Sequence, residues 1–219
     1  MTKPESIKPI LFSTEMVRAI RKGDKTQTRR IVKYPKKIKE AKVGFSAWCE
    51  DGEFTVRGIH ESGEIGDSFF KLPFKKGDIM WVRETFTQSN DEITYRADVC
   101  SKWDLPKGCK WKPSIFMPKN VCRLFLEITK VRIEKLQSIS DKDSIAEGIK
   151  REVFPETGET CYYFYPCKDL RDNSYLDCPT TSFYSLWKSI NGQESWEQNP
   201  YVFIYEFKQI ERPLDFLNL

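Results

Sequence analysis

Lys8-Pro9-Ile10-Leu11-Phe12-Ser13 and Gly23-Asp24-Lys25-Thr26-Gln27-Thr28-Arg29-Arg30-Ile31-Val32 bracket a short stretch whose apolar residues are Met16, Val17 and Ile20. That spacing is helical. The first flank reads as a strand, Ser13 or Thr14 can N-cap the helix, and Gly23 can end it. The second flank is a turn running into a β-prone segment. A strand, a short helix and a second strand within 25 residues set the style of the chain.

The pattern continues outward. Residues 35–74 are polar and rich in Gly, Lys and Glu, which suggests an inserted hairpin or loop excursion. Gly77-Asp78 signals a turn into a strand over Ile79–Phe86, and Ile93–Ala97 reads as another. Val121–Leu136 alternates as one long bent strand or two. Ser140 caps a helix over Asp141–Glu147, with Asp143 three residues on, and Gly148 stops it. Phe183, Leu186, Trp187 and Ile190 recur at helical spacing up to Asn191-Gly192, and Tyr201–Ile210 is a final strand. The expected fold is α+β, a small closed β-barrel with short flanking helices. It is read as one domain over residues 1–219, with insertions at about 35–74, 99–120 and 150–179.

Composition narrows the classes. The chain has 219 residues, 39% hydrophobic and 14% aromatic, so it can bury a core. No apolar run approaches the ~20 residues that span a bilayer, and the N-terminus lacks a secretory h-region. The seven cysteines and the single His60 form no C-x-x-C or zinc-knuckle spacing, and Cys161, Cys167 and Cys178 are too irregularly placed. A soluble protein of a reducing cytoplasm, without metal, cofactor or membrane partner, is expected. The oligomeric state is not legible. Charge is uneven: residues 18–42 carry eleven Lys/Arg against two acids, and residues 101–135 are also net basic. Two basic segments suggest a phosphate-bearing partner, although solvated lysine-rich strands produce the same pattern.

Lys25, Thr28, Arg29 and Arg30 place an amine, a hydroxyl and two guanidiniums within six residues. Such a set suits an oxyanion or phosphate, and it equally describes an exposed basic strand. The ordered pattern around it resembles the ASCH superfamily. G-x-K-T-x-T-x-R matches residues 23–30, and L-x-x-I-[ST]-x-x-[DE]-[AS]-x-x-E-G matches 136–148. Trp81-Val82-Arg83-Glu84-Thr85, the segment Trp111–Pro118, the Leu186-Trp187 helix and a last strand through Glu206-Phe207 are similar to longer phage and prophage members. The likeness covers most of residues 8–150 and 180–210.

That resemblance implies a PUA-like barrel and a mobile-element gene acting in a bacterial host's cytoplasm. A small bacterial ASCH enzyme deacetylates acetylcytidine with a lysine, a threonine and a glutamate, which fall here on Lys25, Thr28 and Glu147. The implied activity is hydrolysis of an acyl group from a modified base, in a nucleoside or in RNA or DNA. Thr28 would be the nucleophile, Lys25 its activator and Glu147 the acid/base. Lys25 can accept a proton only below its ordinary pKa of about 10.4, and it meets Thr28 only if the turn at Gly23-Asp24 bends the chain. Glu147 sits at a helix end, where the dipole disfavours a carboxylate. Thr26, Arg29, Arg30, Trp81, Arg83 and Glu84 are the candidate substrate-binding residues, and Trp81, Trp103, Trp111 and Phe116 are candidates to stack on a base. A non-catalytic RNA- or DNA-binding module is the alternative, and a metal-assisted ribonuclease ranks last.

Overall fold

The computed structural model describes residues 6–33, 46–50, 53–59, 65–89, 92–99, 110–153, 158, 160–163 and 178–218. Its first strand, β1 (Ile7–Leu11), leads into α1 (Thr14–Lys22). Ser13 caps that helix by accepting from the Met16 amide at 3.3 Å, and Gly23 closes it at φ 82°. Strand β2 (Gln27–Ile31) follows. The polar segment then holds a three-stranded antiparallel meander, β3 (Ser46–Glu50), β4 (Glu53–Ile59) and β5 (Ile65–Lys71), one strand more than a hairpin.

Strand β6 (Ile79–Arg83) stops earlier than its apolar run suggests. Glu84 and Thr85 break it, and a separate hairpin forms from β7 (Phe86–Ser89) and β8 (Glu92–Tyr95). The break is held by charge, because buried Glu84 turns to accept from Arg123 at 2.8 and 3.0 Å. Strand β9 (Phe125–Lys135) is one unbroken element, and α2 (Asp141–Ala146) ends on Glu147. The region expected to be a loop pairs β10 (Lys150–Val153) with β11 (Thr160–Tyr163). Helices α3 (Pro179–Asn191) and α4 (Gln193–Glu197) precede the last strand, β12 (Tyr201–Ile210).

Five strands make the central sheet, in the order β1-β6-β9-β12-β2, parallel between β1 and β6 and antiparallel elsewhere. No ladder closes β1 onto β2 among the described residues. A side chain spans those two edges instead, with Arg30 on β2 donating to the Leu11 carbonyl on β1 at 2.8 Å. The fold is therefore mixed α+β around a mostly antiparallel sheet. No helix among the described residues is long and apolar enough to cross a membrane.

Strand alternation sends neighbouring side chains to opposite faces, and both faces are covered. On β12, Phe203, Tyr205 and Phe207 join Val17 and Ile20 of α1, while Val202 and Ile204 join Phe183 and Trp187 of α3. On β6, Met80 and Val82 enter the first of these clusters. Ile79 and Trp81 enter a third, with Phe125, Met117 and Phe216. Phe216 is fully buried and meets Phe125 and Trp81 edge-on at centroid distances of 4.8 and 5.8 Å. Phe216→Ala should therefore cost about 3–5 kcal/mol in urea unfolding. A loss under ~1 kcal/mol would mean that the C-terminal segment does not seal this core.

Candidate functional site

The site begins where α1 ends. The amides of Asp24 and Lys25 both donate to the Ala19 carbonyl, at 2.9 and 3.2 Å, so the chain bends before β2 starts at Gln27. The bend turns Lys25 inward. Its side chain is fully buried, and its Nζ donates to the Glu147 carbonyl and to Glu147 Oε2, each at 2.8 Å. Phe12 lies beneath, with Nζ 5.9 Å from the ring centroid. Burial pushes the Lys25 pKa down, and the opposing pull of Glu147 does not cancel it.

Glu147 is delivered by α2. The Ser140 hydroxyl accepts from the Asp143 amide at 3.1 Å and starts the helix. Asp143 and Glu147 are four residues apart, so they share a face. Arg29 meets that face with both ends of its guanidinium: Nη1 to Glu147 Oε1 at 2.9 Å, and Nη2 to Asp143 Oδ2 at 3.2 Å. The far side of Asp143 takes Arg132 at 3.2 Å. Gly148 completes the packing. It holds φ +98°, and a Cβ there would stand 3.4 Å from Lys25 Cβ and 3.5 Å from Ala19 Cβ. Those are ordinary contact distances, and it is the left-handed φ that favours glycine here.

Two cavities of about 280 Å³ each reach Glu147, and both also touch Met16 and Leu186. One lies between α1, Gly148 and Lys150. The other is lined by Thr28, Arg29 and Arg30 of β2 and by Phe183, Trp187 and Ile190 of α3, with the Arg29 guanidinium 5.7 Å from the Phe183 ring centroid. The second combines a hydroxyl, a carboxylate and a guanidinium with an apolar wall, the composition of a small-molecule cleft. Its carboxylate can exchange a proton with the amine behind it, and its hydroxyl can act as a nucleophile.

Lys25, Thr28, Glu147, Arg29 and Arg30 thus gather at one place. Their roles are not equivalent. Both side-chain hydrogen bonds of Lys25 go to Glu147, and none goes to Thr28. Arg29 is spent on carboxylates. Arg30 lines the cleft and lies 5.3 Å from the Phe12 centroid. Thr26 serves through its backbone, donating to Ala146 and accepting from Phe207, with its side chain exposed.

Trp81, Arg83 and Glu84 lie on or just after β6, which β9 and β12 separate from β2 on one side and β1 on the other. Trp81 is core, Arg83 donates to the carbonyls of Ile115 and Met117, and Glu84 holds Arg123. These three line neither cavity. Trp103 lies outside the described residues. Sequence reasoning passes over Asp143 as a ligand for Arg29, and its only trace there is the four-residue step to Glu147. Phe12, a member of the buried core, is not singled out there either.

No protein-family model, curated protein or solved structure matches the chain. Among the described residues no group of three or more His, Cys, Asp or Glu is placed to hold a metal ion. The pairing itself can be tested. Glu147→Ala leaves Lys25 and Arg29 buried without that carboxylate and should cost about 3–5 kcal/mol in denaturant unfolding. Adding Lys25→Met should recover part of the loss. Additive losses would show that the two side chains are not coupled.

Proposed function

We propose that the protein is a PUA-like hydrolase of the ASCH type that removes an acyl group from a modified base through an acetylcytidine-like amide. The observation that supports it is the buried Lys25–Glu147 pair at the floor of a cleft that also presents Thr28 and Arg30. An exposed basic strand would have no reason to bury an amine. The resemblance to ASCH proteins supplies the reaction, and the cleft's size suits a single base or nucleoside.

In this reading Thr28 Oγ1 attacks the acyl carbonyl carbon, and its proton passes by way of Glu147 to Lys25. Arg30 donates to the developing oxyanion. The C–N bond breaks as Glu147 returns a proton to the departing exocyclic nitrogen. Water then cleaves the acyl ester on Thr28, which releases the carboxylic acid and restores the hydroxyl. The sum is amide plus water giving amine plus acid.

One observation favours a second reading. Glu147 already satisfies Lys25 and Arg29, so the cluster also works as a rigid floor for base recognition without chemistry. The described residues give the ribonuclease reading no support.

Mass spectrometry of acetylcytidine, other acylated nucleosides and total tRNA after incubation separates the two readings. Wild type should deacylate at least one substrate, Thr28→Ala should be inactive, and Glu147→Gln should lose about 10²–10⁴-fold. No turnover with any substrate would leave the binding module. The rate should also respond to pH. Only the free amine of Lys25 accepts a proton, and burial lowers its pKa. The kcat/KM should therefore rise with pH and level off below the ordinary lysine value. A rate that falls as pH rises through that range would remove Lys25 from the proton path.

A further inference from the structure

Phe116 is 68% exposed, and Ile115 beside it is 55% exposed. The turn that carries them is not loose. Within Pro113–Pro118, Phe116 N donates to Pro113 at 3.0 Å, and Met117 N donates to Ser114 at 3.1 Å. Arg83 clamps it from below, donating to the carbonyls of Ile115 and, at 3.1 Å, Met117. The Met117 side chain is fully buried, and its sulfur accepts from the Glu84 amide at 3.1 Å. A rigid turn thus holds an aromatic ring in water, where the ring adds nothing to the core.

Cations lie over the same core. Lys119 and Arg212 lie 5.8 and 5.5 Å from the Phe216 ring, and Lys112 lies 5.7 Å from Phe86. Phe86, Phe216 and Met117 belong to one cluster, so these charges lie over the core into which Met117 anchors the turn. All three are exposed, and none has a carboxylate partner among the described residues. Glu211 and Asp215 are the acids on the neighbouring C-terminal segment, and the local balance remains basic.

The turn also adjoins the cleft. Arg83 pairs with Leu11 across β6 and β1, and the Leu11 carbonyl receives Arg30, which lines the cleft. The ends of two neighbouring strands, at Leu11 and Arg83, lie between turn and cleft.

We propose that this face docks single-stranded nucleic acid. Phe116 stacks on a base, Lys112, Lys119 and Arg212 hold phosphates, and the strand crosses Leu11 to present a base to the cleft. The inference rests on the hydrolase reading and deepens it, by choosing a base within a polymer as the substrate. A pinned ring beside unpaired cations is the pairing that sequence-tolerant strand binding uses. An acidic peptide would need the cations and leave the ring without a partner.

Fluorescence anisotropy with labelled single-stranded RNA and DNA of roughly twelve nucleotides tests it, with duplex DNA and polyglutamate as competitors. Phe116→Ala should weaken strand binding about tenfold or more, and the melting temperature should not change because the ring is exposed. Lys119→Ala with Arg212→Ala should flatten the plot of log affinity against log salt by about 0.7 for each phosphate that the variant no longer neutralises. An unchanged Kd in Phe116→Ala, or stronger competition by polyglutamate or duplex, overturns the proposal. The two readings fail separately. Strand binding without turnover of any substrate would sink the hydrolase and leave this face, whereas nucleoside turnover without strand binding would do the reverse.

Discussion

Glu147 takes its carboxylate out of water, and Lys25 and Arg29 meet both of its oxygens. Much of the local architecture depends on that meeting. Helix α2 has six residues, too few to persist on propensity alone. Arg29 holds it by gripping Asp143, its third residue, and Glu147, its C-cap, together. The same grip fastens α2 to β2, and the Lys25 contacts fasten the end of α1 to both. A buried ion pair is weak evidence for net stability, since desolvation offsets much of the attraction. Its value here is geometric: it fixes one carboxylate against one amine beside a cleft.

The sheet supplies the frame that makes this possible. β12 is covered on both faces, by α1 through Phe203, Tyr205 and Phe207 and by α3 through Val202 and Ile204. β2 pairs along it, Thr28 opposite Tyr205 and Arg29 opposite Ile204. Alternation then sends Arg29 toward α2 and α3 and Arg30 toward Phe12 and β1. Consecutive arginines in the sequence thus do unlike work. One locks a helix, and the other ties the two edges of the sheet and lines the cleft.

Local signals in the sequence are enough for the capped and periodic elements. Ser13 and Gly23 bound α1 where capping chemistry places them, and the spacing of Phe183, Leu186, Trp187 and Ile190 gives α3. The tertiary devices are not legible. The break after Arg83 carries no Gly or Pro, because it is held by Glu84 and Arg123, 39 residues apart. β10 and β11 are four residues each, too short for alternation to register. Lys25, Thr28 and Glu147 are named through resemblance to a family. Their neighbourhood follows instead from a bend, a strand register and a glycine that no spacing rule joins.

Charge shows how little a segment's total says about which of its cations are free. The strongly basic segment 18–42 reads as a phosphate-binding stripe, yet its arginines are largely used inside the fold. Arg18 donates to the carbonyls of Arg96, Ala97 and Val99, Arg21 pairs with Asp98, and Arg29 holds α2. Lys25 is buried on Glu147. A cation that already satisfies a carboxylate or a carbonyl has little left to offer a phosphate. Lys22 and Lys33 of segment 18–42 stay exposed, as do Lys112 and Lys119 of segment 101–135, and none of the four has a carboxylate partner among the described residues. What decides where a polyanion can sit is the number of unspent cations on one face, and Lys112, Lys119 and Arg212 offer theirs over the core beneath the Phe116 turn.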